Sequence, residues 1–213
     1  MINRAMTIFL CFLTLLLRIG IQNAAADPPV NYWPFQNGNQ WKMSLVLSSG
    51  QKIDLTITAG DVHREHGYLL ATLSYLVNGK VSEVEVYKSD SSGIRRIQGG
   101  PGGNSKFNPP MLLIKYPLKN GSSWNWDGKA NIGTLIATYH AHFQVTGPFV
   151  MKTPAGAFHV MRIHSDLNCS IGKTNQTIPN DYWFANGIGL IKQSILSSGL
   201  SLVGKLTEYK LKK

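Results

Sequence analysis

Two histidines stand two residues apart in "YHAH", His140 and His142. On a strand, side chains alternate between faces, so both imidazoles would project from one face. A same-face histidine pair is the beginning of a zinc or copper site. That face also carries Thr134, Thr138 and Gln144, and the opposite face carries Leu135, Ala137, Ala141, Phe143 and Val145. The pair is therefore expected on the polar side of its strand. A third ligand would have to come from His63, His66, His159, His164 or a carboxylate brought in by the fold, because no H-E-x-x-H run supplies one.

Other runs with chemical potential are weaker. "DVHREHG" (61–67) clusters His63, Glu65 and His66, but it reads as a turn, where polar side chains are usually solvated. "GGPGGNSK" lacks the spacing of a phosphate-binding loop and no helix follows it. No G-x-S-x-G occurs, and none of the eleven acids is paired in a way that suggests glycoside hydrolysis. No catalytic residue is assigned and no cofactor is expected.

The aromatic residues offer binding instead. Tyr32, Trp33, Phe35 and Trp41 crowd the start of the chain, "WNW" follows at 124–126, and Tyr182, Trp183 and Phe184 lead into "ANGIG". Aromatics stack sugars or bases, but they also plug barrels and cap cores. Tyr182, Trp183 and Phe184 are the candidates for a ligand-binding cavity mouth. Lysines do not interleave with the aromatics closely enough for nucleic-acid binding.

The elements that must position these residues are strands. Trp41, Met43, Leu45 and Leu47 alternate with Lys42 and Ser44; Ile53, Leu55 and Ile57 alternate with Asp54, Thr56 and Thr58. "YLLATLSYLV" (68–77) reads as a strand apolar on both faces, closed by an Asn-Gly turn. Val84 and Val86 alternate with Glu83, Glu85 and Lys88. "GGPGGNSKFNPP" and "PLKNGSSWNWDGKANIG" read as long connections, and 131–146 as the longest alternating run. No helical stripe or internal repeat is visible. About nine or ten antiparallel strands are expected, in one strongly curved sheet or barrel.

The ends bound the compartment. Arg4, the apolar run 5–17 and the small residues Ala24 and Ala26 have the layout of a secretory signal peptide, 1–26, leaving 27–213 as a single β domain. The apolar run is too short to span a bilayer, and no second one approaches that length. Secretion or a periplasmic location follows. Cys11 leaves with the signal and Cys169 is then alone, so no disulfide staples the fold. The mature part carries nineteen basic residues against eleven acidic, a net +8, suited to anionic lipid head groups or envelope glycans. Asn120, Asn168 and Asn175 are sequons, relevant only in a host that glycosylates exported proteins.

"YWPFQNGNQW" (32–41), "MKTPAGAFHVMRI" (151–163), "DYWFANGIGLIKQ" (181–193) and "LTEYK" (206–210) occur in an order that resembles a family of small exported bacterial β-proteins. Phe35 stands where that family usually has leucine, and Asn186 where proline is usual. The family is similar in fold to the half-barrels of LolA and LppX type and to lipocalin-like barrels. The resemblance implies an apolar cavity for a lipid or other hydrophobic ligand, and brings no catalytic residue. Residue by residue, the repeated motifs read as architecture: Gly187 and Gly189 permit a tight turn and close backbone approach. Three functions follow in order: an exported non-catalytic binding protein for a hydrophobic or amphipathic ligand, a cell-envelope structural or interaction module, and a metal-dependent hydrolase using the His140 and His142 face.

Overall fold

The computed structural model describes residues 30–197 and 199–212. The expected signal peptide and its cleavage site lie outside the described residues. Twelve strands follow one another among them: β1 (Gln40–Leu47), β2 (Lys52–Glu65), β3 (Tyr68–Val77), β4 (Lys80–Asp90), β5 (Gly93–Gly99), β6 (Ser105–Lys115), β7 (Ser123–Ile132), β8 (Leu135–Thr153), β9 (Gly156–Ile171), β10 (Thr174–Ala185), β11 (Gly189–Ser197) and β12 (Leu200–Lys210). Each pairs antiparallel with its chain neighbours, and β1 pairs antiparallel with β12, which closes the barrel. An even number of up-and-down strands permits that closure, because the first and last then run in opposite directions. Closure removes both sheet edges.

Period-two alternation fills the interior. Trp41, Met43 and Leu45 point inward from β1, Leu55, Ile57 and Ala59 from β2, and Ala137, Ala141, Phe143 and Val145 from β8. Lys42, Asp54, Lys129, His140, His142 and Lys205 stand exposed outside.

The structure has more strands than the pattern suggested, because β7 lies in a segment read as a connection and β10 falls outside the alternating runs singled out from the sequence. In β7, Trp124, Trp126 and Ala130 are buried while Asn125, Asp127 and Lys129 are exposed, an alternation masked by its glycine, asparagine and lysine content. β6 begins inside the supposed glycine-proline loop. Pro109 and Pro110 lack the N–H a ladder needs, so β6 and β7 pair only at Phe107 with Ala130 and Asn108 with Lys129. The tryptophans bridge this thin seam. Trp124 Nε1 donates to the Leu112 carbonyl at 2.9 Å and Trp126 Nε1 to the Pro109 carbonyl at 3.3 Å.

The two ends of the barrel differ. At one end the segment before β1 folds across the opening. Trp33 is 3% exposed and packs its ring against Phe35, Trp41, Tyr87 and Phe184. Backbone and side-chain bonds hold this plug to the β10–β11 turn. Asn31 N–H donates to Asn186 Oδ1 at 2.7 Å, and Gly187 N–H to the Asn31 carbonyl at 2.8 Å. Trp41 Nε1 donates to the Ile188 carbonyl at 2.6 Å. Gly189 lies beneath this indole at φ +112°, where an added Cβ would sit 2.8 Å from Trp41 Nε1. The opening motif and "ANGIG" are thus two halves of one plug. The opposite end, formed by the turns β1–β2, β3–β4, β5–β6, β7–β8, β9–β10 and β11–β12, has no such segment across it among the described residues.

Candidate functional site

A cavity of about 400 Å³ occupies the unplugged half of the lumen. Its walls are largely aliphatic: Leu45, Leu55, Val77, Leu167, Ile178, Ile195 and Leu202. Its floor is the inner side of the plug, with Trp33, Tyr87, Leu113 and Leu190. The volume lies within the range of about 300–1,000 Å³ common for small-molecule sites.

One polar cluster interrupts the apolar wall. β4 aims Glu83, Glu85 and Tyr87 inward at alternate positions, and β5 places Arg96 opposite Tyr87. Alternation in the sequence separates the glutamates from the valines without saying which face is inner. The glutamate face is the inner one, because Glu85 finds its partners within the lumen. The Arg96 guanidinium reaches Glu85 Oε1 at 2.7 Å, with the Glu85 side chain only 4% exposed. Tyr75 and Tyr87 both donate their hydroxyls to Glu85 Oε2, the latter at 2.5 Å. Arg96 also donates to the Tyr87 oxygen at 3.3 Å, and the Tyr182 hydroxyl hydrogen-bonds with Arg96 and Gln193.

These contacts keep the tyrosines as neutral donors. Burial, reinforced by the Glu85 charge, pushes the Tyr75 and Tyr87 hydroxyls well above their usual range, although Arg96 pulls the other way. Burial likewise raises Glu83, with Glu85 adding to it and the Gly100 N–H at 3.0 Å opposing. Two buried donors in residues lining the cavity have no acceptor among the described residues: Arg96 Nε and Trp33 Nε1. Leaving a buried donor unpaired costs about 1–3 kcal/mol.

The three aromatics singled out from the sequence separate. Tyr182 lines the cavity. Trp183 lies on the outer wall, with Lys192 Nζ 4.2 Å from its ring centroid and Arg162 on the same ring. Phe184 is fully buried in the plug, against Trp33. The alternation of a strand accounts for the split.

His140 and His142 stand on the outer wall above a shallow depression shared with Asn125, Asp127 and Asn168. His140 Nδ1 is 2.5 Å from Asp127 Oδ1, and His142 Nδ1 is 2.6 Å from Asn125 Oδ1. No group of three histidine, cysteine or carboxylate side chains converges as a metal site among the described residues. His63, Asp61 and Glu65 end up on the long β2 around a backbone bulge. Cys169 is buried beside Tyr139, whose hydroxyl is pushed up to about 12 by burial and by Cys169. The three sequons are exposed, with Asn168 accepting from the Thr177 hydroxyl at 2.6 Å. A second cleft, of about 560 Å³, lies at the plugged end beside Val30, Arg64 and Asp90.

The site residues that sequence reasoning missed are Glu85, Arg96, Tyr75, Tyr87 and Gln193. One signal was available: Glu83, Glu85 and Tyr87 share a face by period two, followed within a hairpin by an arginine.

A closed antiparallel barrel with a lumenal cavity and a buried polar cluster defines a class, that of the barrel proteins with an internal site. Within it, the chain is similar over its fold to a candidate lipoprotein from Parabacteroides distasonis, at TM-score 0.58 and 13% identity, covering 85% of this chain and 99% of that one. A candidate exported protein with a YmcC-like fold from Bacteroides fragilis aligns at TM-score 0.48 and 13% identity, over 85% of this chain and 100% of that one. The hypothetical lipoprotein YmcC from Escherichia coli aligns at 0.42 and 14%, over 84% and 86%. The Parabacteroides likeness is one of fold. No family profile and no curated protein matches the chain.

Proposed function

We propose that this is an exported, non-catalytic binding protein that holds one amphipathic molecule in the barrel lumen. The observation that carries this reading is the cavity itself: aliphatic walls converge on a single buried polar cluster with two unpaired donors. An apolar tail would lie along Leu45, Ile178, Ile195 and Leu202. A head with acceptor oxygens would face Arg96 and Trp33. Because Glu85 already neutralises Arg96 at 2.7 Å, an uncharged acceptor suits the site better than a carboxylate, which would meet the Glu85 charge. An ester, amide or hydroxyl head is the chemistry that fits.

The barrel's polar exterior and apolar interior are the reverse of a membrane-spanning barrel, which supports a protein that works in water. The signal-peptide layout of the sequence supports secretion or a periplasmic location, and the description of the Parabacteroides protein agrees with an envelope setting.

The test is native mass spectrometry of untagged protein recovered from its export compartment, followed by solvent extraction. A co-purifying apolar mass is expected. In titrations of delipidated protein, a monoacylglycerol should bind more tightly than a fatty acid of equal chain length, and Ile195→Trp, which fills the cavity, should abolish both. A bare mass together with no binding of either probe would overturn the reading.

A further inference from the structure

Among the described residues, seven of the eleven exposed large apolar side chains lie at the unplugged end, against Val30, Phe149, Val150 and Tyr209 toward the other. At the unplugged end, Val46 stands beside the β1–β2 turn, Val81 at β3–β4, Leu135 and Ile136 at β7–β8, and Leu196 and Leu200 at β11–β12. Their exposures run from 40% for Val46 to 63% for Ile136. Four of the six turns around this opening therefore carry aliphatic side chains in water, and the lumenal cavity reaches the same end through Val77, Ser82 and Leu202. Single exposed aliphatics are ordinary, but a ring of them around one opening is not.

Charge at this end is net basic. Lys52, Lys80, Lys129 and Lys173 are exposed in or near the same turns. Of the acids close by, Asp54 is exposed, while Glu83 lines the cavity and accepts from Gly100 N–H. The plugged end is basic too, with Arg64, Lys115, Lys119, Lys152, Lys210 and Lys212 exposed toward it against Asp61, Glu65, Asp90 and Glu208, so it is the ring of aliphatic turns that distinguishes the rim.

We propose that this rim docks on the surface of a bilayer leaflet containing anionic phospholipid, with the aliphatic turn residues entering the interface and the lysines facing phosphate. The occupant follows from charge complementarity and from the geometry of the apolar groups. They sit at the tips of separate turns around an opening, so a planar surface meets them together. Basic residues near such a surface each contribute through its negative potential, and aliphatic tips through burial. The inference rests on the lumenal reading, since docking here sets the cavity mouth against the source of an amphipathic ligand.

The experiment is flotation of the mature protein with vesicles of phosphatidylethanolamine and phosphatidylglycerol, against vesicles of phosphatidylcholine alone. Binding to the anionic vesicles is expected, weakening as salt rises from about 0.1 M to about 0.5 M. Ile136→Asp with Leu200→Asp should reduce it about a hundredfold, and Lys80→Glu with Lys173→Glu about tenfold or more. Val150→Asp, exposed near the plugged end, should leave it unchanged. All these positions are exposed, and circular dichroism confirms each variant's fold. Monoacylglycerol binding in vesicle-free solution should survive the rim substitutions. If it is absent in every form while flotation behaves as stated, the lumenal reading fails and the docking surface stands. Flotation unaffected by the rim substitutions, or no flotation of the native protein, overturns the proposal. So does a solution dimer that the rim substitutions split without any vesicle binding, which would make a second copy the occupant.

Discussion

Replacing Arg96 by leucine tests the lumenal cluster most directly. Glu85 would keep the Tyr75 and Tyr87 hydroxyls but lose the Arg96 guanidinium at 2.7 Å, in a position where its side chain is 4% exposed. Removing one member of a buried pair costs about 3–5 kcal/mol, because the remaining charge is left uncompensated. Total stability for a domain is only about 5–15 kcal/mol, so the loss should be plain in urea unfolding at neutral pH. The second arm supplies the sign. Adding Glu85→Gln to Arg96→Leu removes the stranded charge while keeping a group that accepts from both tyrosines. The double variant should therefore regain about half or more of the loss, rather than lose further. An Arg96→Leu cost under about 1 kcal/mol, or a double variant less stable than the single, would refute the picture of a desolvated pair.

Three further outcomes are expected. Gly189→Ala should cost about 3 kcal/mol or more by thermal or urea unfolding, since it combines a strained φ of +112° with a Cβ 2.8 Å from Trp41 Nε1 and so disrupts the bond to Ile188. Trp124→Phe should cost about 1–2 kcal/mol by leaving the partly buried Leu112 carbonyl without this donor, and amide exchange should rise first along β6 and β7, where the ladder is thinnest. Asp181 is partly buried, which would raise its carboxyl, but Arg162 Nε at 2.7 Å and His164 Nδ1 at 2.9 Å outweigh that and hold it below 3.8. A carboxyl depressed in the folded state stabilises above its unfolded value and loses that contribution as pH falls through the folded one. Stability should therefore drop as pH falls below about 4, and Asp181→Asn should lessen that drop, measured as the unfolding midpoint across pH 2–6.

Much of the architecture was legible because alternation is local. β1, β2 and β8 showed their two faces in their own residues, and the turns followed from Asn-Gly and glycine positions. The candidate site was less so. Tyr182, Trp183 and Phe184 are contiguous and look equivalent, yet pleating sends them to the cavity, the outer wall and the plug. Glu85 did not stand out because its partner Arg96 lies on another strand and its hydroxyl donors come partly from a third.

By itself, then, the chain determined an all-β antiparallel fold and two glycine-aromatic motifs whose local geometry is tight. Tertiary structure decided that β1 meets β12, that those motifs close one end together, and that the other end keeps a cavity ringed by aliphatic turns. The physical reason is range. Strand periodicity is set by neighbouring residues, whereas closure, burial of an ion pair and the grouping of turn tips depend on pairings across the whole barrel, such as Trp41 with Ile188.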